Sequence, residues 1–186
     1  MKKASLSFIA ILIVVAQTIA GTPFSGEKNK SIILGLHGWK SETVDIQILD
    51  HKGNTLYVED LEIDNKAKKY DFKKLAAGQY SIVTSNEYKV RTQVFNVGRN
   101  GLEFVSEHYD YKPLLSYKKG YWDVNFLSSN GKATVSIYNA SGKEVFNRQY
   151  HGQSVNRRIN MENLPGGLYT MYVSNGIVSS SQQINK

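Results

Sequence analysis

Asp60, Glu62 and Asp64 alternate along the chain, so on an extended strand they would share one face at about 7 Å spacing. Carboxylates so placed could hold a hard cation such as calcium, or work as a general acid and base. A solvated strand face is the competing account, because the matching positions 89 residues on are Gln149, His151 and Gln153. His37, His51, His108 and His151 show no ligand spacing, and there is no cysteine to join them, so no metal site and no cofactor is predicted. No Gly-x-Ser-x-Gly elbow or phosphate-cradling loop occurs either. The chain reads as a non-enzyme with no catalytic residue, the alternative being a small secreted hydrolase or lyase that uses the acidic strand face.

A second kind of chemistry is recognition by aromatic rings. Phe104, Tyr109, Tyr111, Tyr117, Tyr121 and Trp122 crowd into one short segment. Rings beside polar groups can stack on a sugar or a partner strand, or they can bury against a neighbour as a seam between modules. If there is a recognition surface, the residues expected on it are Tyr109, Tyr111, Tyr117 and Trp122, with Trp39 as a further candidate.

The elements that must position these groups form an internal repeat. Leu164-Pro165-Gly166-Gly167-Leu168-Tyr169 is preceded, 89 residues upstream, by Leu75-Ala76-Ala77-Gly78-Gln79-Tyr80. The same offset pairs Ile46 with Val135, Gly53 with Gly142, and Ser85-Asn86 with Ser174-Asn175. Within each copy, runs such as Val44-Asp45-Ile46-Gln47-Ile48 and Val135-Ser136-Ile137-Tyr138 alternate at period two. Each is followed by an Asp- or Asn-initiated turn that closes on a glycine, Asp50 to Gly53 and Asn139 to Gly142, which predicts a hairpin. No helical period is sustained beyond the first 20 residues. The expected fold is all-β, two tandem immunoglobulin-like or fibronectin-like sandwich modules. The Leu-x-x-Gly-x-Tyr landmark resembles the tyrosine corner of such sandwiches.

The expected boundaries are a signal peptide at 1–20, a flexible leader at 21–30, a first sandwich at 31–108, an aromatic-rich connector at 109–120 closed by Lys118-Lys119-Gly120, and a second sandwich at 121–186. Lys2 and Lys3 precede an apolar run from Phe8 to Ala16, too short for a bilayer, with small Thr18 and Ala20 before Gly21. No other apolar run is long enough to span, so no transmembrane segment is expected in the mature chain, and absence of cysteine excludes a disulfide framework. The formal net charge is +7. Residues 21–97 carry eleven basic and ten acidic groups, 98–186 ten and six, without a dense basic stripe. Nucleic acid is therefore not an expected partner, whereas mild attraction to anionic envelope polymers is.

Residues from about Ala133 to Lys186 resemble the C-terminal sorting domain (type A) of the type IX secretion system. The resemblance rests on Ile137-Tyr138-Asn139-Ala140-Ser141-Gly142-Lys143-Glu144-Val145, on Leu164, Pro165, Gly167 and Tyr169 of the landmark, and on Gly176 with the basic Lys186. Gln182 stands where a Lys is common in that family. The chain is also similar to short secreted proteins built from such sandwiches alone. These resemblances imply export to the periplasm, the cell surface or the medium, and the secretion machinery as a partner. The resulting expectation is a secreted, non-enzymatic binding, adhesion or envelope-associated module, with cell-surface polysaccharide or another envelope protein as its ligand. A carbohydrate-binding module is the related alternative.

Overall fold

The computed structural model describes residues 30–39, 42–62 and 67–186. The expected signal peptide and nearly all of the leader lie outside the described residues. Fourteen strands run in chain order as β1 (Ser31–Gly35), β2 (Thr43–Asp50), β3 (Thr55–Glu62), β4 (Ala67–Asp71), β5 (Gly78–Ser85), β6 (Lys89–Val97), β7 (Leu102–Tyr111), β8 (Leu114–Lys118), β9 (Tyr121–Leu127), β10 (Lys132–Asn139), β11 (Glu144–His151), β12 (Ser154–Asn160), β13 (Leu168–Ser174) and β14 (Ser179–Asn185). There is no helix among the described residues. The fold is all-β, as its period-two patterning requires.

The strands form two sandwiches. The first sets a five-stranded sheet, β3-β2-β5-β6-β7, against the antiparallel pair β1-β4; the second sets β11-β10-β13-β14 against β12-β9-β8. Each core is filled from the inward phase of the alternation. Ile32, Leu34, Val44, Ile46, Ile82 and Phe95 are sealed in the first, and Trp122, Val124, Val135, Ile137, Met171 and Val173 in the second. Burying side chains of this size contributes about 1.5–3 kcal/mol each, and without disulfides this burial is what holds each unit together.

The repeat is reproduced down to individual hydrogen bonds. The Asp50 side chain accepts from the Lys52 and Asn54 amides at 2.8 and 2.9 Å. Asn139 does the same for Ser141 and Lys143 at 3.1 and 2.9 Å. Gly53 and Gly142 close these turns at φ 83° and 76°, a left-handed region costly to any residue with a Cβ. A bulge follows Ile48 in one copy and Ile137 in the other. At the corners, Tyr80 Oη donates to the Ala76 carbonyl at 3.1 Å and Tyr169 Oη to the Pro165 carbonyl at 2.9 Å. Both units therefore carry the immunoglobulin-type tyrosine corner.

Two features depart from the sequence reading. Ile32 pairs with Tyr70 as Trp122 pairs with Ile159, so the first strands correspond one residue out of step with the rest of the repeat. The loop from Leu36 to Val44 is one residue longer than that from Phe126 to Ala133, which absorbs the slip; without it the strand would turn its other face to the core. The expected connector at 109–120 is also mostly strand. β7 continues to Tyr111 as the edge of the first sheet, and β8 is already the edge of the second sandwich. Lys119-Gly120 is no boundary but the two-residue turn of the β8–β9 hairpin, with φ 52° and 78°. Only Lys112 and Pro113 lie between the two sheets.

Candidate functional site

Most of the sorting-motif-like residues converge on one end of the second sandwich. β13 opens there at Leu168 opposite Asn185, while Asn139 at the end of β10 pairs with Tyr169. The Gly167 amide donates to the Lys186 carbonyl at 3.1 Å and the Lys186 amide returns to the Gly167 carbonyl at 2.9 Å. The Lys186 ammonium donates to the Glu162 carbonyl at 2.9 Å and to that of Leu164. The corner segment thus offers carbonyls that the lysine needs, and the lysine pins the end of β14 against the corner. Gly142 sits in the β10–β11 turn at the same end. Gly176 is separated from the others, in the β13–β14 turn at the far end, where Asn175 caps the Ile177 and Val178 amides at 2.9 and 3.0 Å.

The aromatic candidates are divided among three environments. Trp122 is wholly buried in the second core, where its Nε1 donates to Gln182 Oε1 at 2.6 Å. Tyr117 is partly buried and meets Trp122 edge-on, with ring centroids 5.7 Å apart. Neither is part of an exposed platform. Tyr109 and Trp39 instead flank Lys89, whose ammonium lies 5.8 and 4.4 Å from their ring centres. Burial there, with Arg91 beside it, lowers the Lys89 pKa. Arg91 is itself buried, donating to the Gly35 carbonyl at 3.0 Å and approaching Glu107 at 3.9 Å. Tyr111 is the exposed one of the set, 50% accessible. It borders a groove of about 240 Å³ that also takes in Tyr88, Leu114, Asn125 and Asn156.

Of the acidic triplet, Asp60 and Glu62 are exposed on β3 and Asp64 lies outside the described residues. Among the described residues no group of His, Asp or Glu side chains is arranged to hold a metal ion. The acid that is set in a structured environment is their neighbour Glu59, which accepts hydrogen bonds from Lys68, from Tyr70 and, at 3.0 Å, from Tyr57. Burial alone would raise its pKa, but the bonds from Lys68, Tyr70 and Tyr57 outweigh it and hold the carboxyl below its ordinary value. Burial and Glu59 together push the Tyr70 phenol well up. With Tyr70 held protonated and Glu59 held ionised, this cluster clamps β3 to β4. Sequence reasoning missed it because Lys68 and Tyr70 come from another strand in the opposite sheet.

Comparison with known proteins fits the repeat. A family model described as "Secretion system C-terminal sorting domain" matches twice, over residues 28–97 and 119–186. No curated protein matches. Solved structures to which the chain is similar include the BSP domain of a biofilm associated protein, at 12% identity and TM-score 0.27, covering 84% of this chain and 27% of that one. Another is an amphioxus IgVJ-C2 molecule, at 12% identity and TM-score 0.21, covering 86% of this chain and 97% of that one. The present chain thus spans about a quarter of the biofilm-associated structure.

Proposed function

The chain belongs to the secretion system C-terminal sorting domain family, once in each sandwich, and from that premise we propose that the second sandwich is the address by which a type IX secretion machine exports the whole protein. Membership makes this a secreted or cell-surface β-sandwich protein. The finer reading is that the recognised surface is the end of the second sandwich where Gly142, Leu164, Pro165, Gly167, Tyr169 and Lys186 meet. An address read on a folded domain has to be a rigid surface, since a mobile tail would lose ordering entropy on every encounter. The observation that carries the proposal is the fastening of Lys186 to the corner carbonyls of Glu162 and Leu164 together with its reciprocal amide pair with Gly167. The first sandwich keeps the strand pairing, Gly78 opposite Val97, but Val97 has no ammonium to reach the corner carbonyls. In this proposal the two units divide at Lys112–Pro113, and the first travels as cargo and works outside the cell as a non-enzymatic binding or adhesion module.

The test is a fusion of residues 114–186 to a periplasmic reporter in a host that has the system, beside the same fusion carrying Lys186→Ala. Export of the first fusion and retention of the second is the expected result. Export of both would remove Lys186 from the address, and retention of both would leave the second sandwich a plain structural unit.

A further inference from the structure

The three-stranded sheet of the second sandwich turns one whole face to solvent, and that face has an ordered chemistry. Strand register places Leu114, Asn125 and Asn156 in one cross-strand row and Ser116, Asp123 and Arg158 in the next. Leu127 and Ser154 precede these rows, and Lys118, Tyr121 and Asn160 follow them. Four rows at about 7 Å spacing make a shallow trough about 20 Å long. It ends against a wall built from Tyr88, Tyr111 and Lys112, with Leu127 60% exposed at its foot. The wall is fixed, because the Lys112 amide donates to the Tyr88 carbonyl at 2.7 Å and Ser129 Oγ donates to Asp110 at 2.6 Å across the two units.

We infer that this trough is a binding site for an extended acidic polysaccharide. The inference rests on the reading of the protein as a surface-delivered, non-catalytic binder and gives that reading a ligand class. Paired side-chain amides, Asn125 and Asn156, offer a donor and an acceptor each to vicinal hydroxyls. An exposed tyrosine ring beside an apolar side chain suits the C–H face of a sugar. The charges decide between neutral and acidic chains. Asp123 is neutralised by the two-pronged grip of Arg158, at 2.7 and 2.9 Å. Lys112 at one end and Arg157 on the far rim have no ion-pair partner among the described residues, and Arg157 is held in place by the Asn156 carbonyl at 2.7 Å and by the Tyr150 ring at 5.0 Å. Lys118 in the fourth row likewise has no ion-pair partner among the described residues, and the Glu162 carboxylate accepts from Tyr121 and Asn160 at that end, each at 3.4 Å. Three such cations against one carboxylate leave the track net positive, which complements a chain with carboxylates at intervals. The first sandwich offers no counterpart: its β1–β4 pair is only two strands wide.

Isothermal titration of the exported protein with an oligogalacturonate, and with the methyl ester of the same oligomer, tests this. The acid form should bind and the ester should bind at least about tenfold more weakly. Tyr111→Ala and Asn156→Ala should each weaken binding of the acid form about tenfold, and Arg157→Gln should lower the preference over the ester, all with an unchanged melting temperature. Equal binding of acid and ester would overturn the acidic assignment. Binding that survives all three substitutions, or no heat from either oligomer, would overturn the site. None of these results touches the export of the reporter fusion, so the two readings fail separately.

Discussion

The two sandwiches share turns, bulge and corner, yet they handle one buried position in opposite ways. Gln93 on β6 and Gln182 on β14 occupy the same place in the repeat and both face inward. In the second sandwich the amide has a purpose, because Trp122 donates to it at 2.6 Å. In the first, the residue corresponding to Trp122 is Ile32, which cannot donate, and the buried Oε1 of Gln93 has no hydrogen-bond partner. A second contrast lies at the other side of the sheet. Glu59, Lys68, Tyr57 and Tyr70 form a charged clamp in the first sandwich, where the second has Arg148, Arg157, Phe146 and Ile159. Local backbone chemistry is thus what the repeat holds constant, while the polar contents of the core are settled separately in each copy.

The largest expected effect tests the second core. Trp122→Ala should destabilise that sandwich by about 3–5 kcal/mol, read as faster hydrogen exchange in β9, β10 and β13, while the first sandwich keeps its protection. Loss of protection in both units at once would mean that they unfold as one. Next comes the glutamine contrast. Gln182→Leu strands a buried indole N–H and should cost about 1–3 kcal/mol, whereas Gln93→Leu removes an unpaired amide and should be neutral or stabilising by up to about 1 kcal/mol. The same sign at both positions, measured by denaturant midpoints, would break the comparison.

The clamp predicts a pH dependence confined to the first sandwich. The Glu59 carboxyl is held below its ordinary value, so its contribution is complete above the usual glutamate range and is lost as the pH falls through its lowered folded value. Hydrogen exchange at acid pH should therefore accelerate in β3 and β4 more than in β11 and β12. Glu59→Gln should lower stability at neutral pH by about 1–3 kcal/mol and make the two units respond alike to acid. The smallest effect belongs to the corners: Tyr80→Phe and Tyr169→Phe each lose one hydroxyl-to-carbonyl bond and should cost about 1 kcal/mol, equally in both copies.

Much of this architecture is legible in the sequence because it is written in short-range chemistry. Asp50 and Asn139 make their turns with atoms four residues away or fewer, and each corner tyrosine reaches back only as far. Trp122 alternates in phase with Val124 and Phe126, a signal of burial that the crowding of aromatic residues around it overrode in the sequence reading. What is hidden depends on partners brought in by pairing. The slip of the first strand depends on a single loop residue, and Glu59 cannot be told from exposed Asp60 until β4 delivers Lys68 and Tyr70. The recognition candidates failed to stay together for a similar reason: closeness along the chain placed Tyr111 and Trp122 in one cluster, whereas the sheets send one to the surface and the other to the core.

The two-residue passage from β7 to β8 bears on how long the protein stays whole once outside. A protease must draw an extended stretch of backbone into its cleft, and at Lys112–Pro113 there is almost no slack to draw on. Pro113 is buried, the Lys112 amide is bound to Tyr88, and the flanking residues are committed to sheets on either side. Cutting upstream would strip β7 from the first sheet, and cutting downstream would strip β8 from the second. Limited digestion should therefore spare Lys112–Pro113, and a stable half-length product would show that the passage opens. The passage between the two sandwiches is thus a part of both sheets rather than a tether, and whatever pulls on one unit pulls on the other.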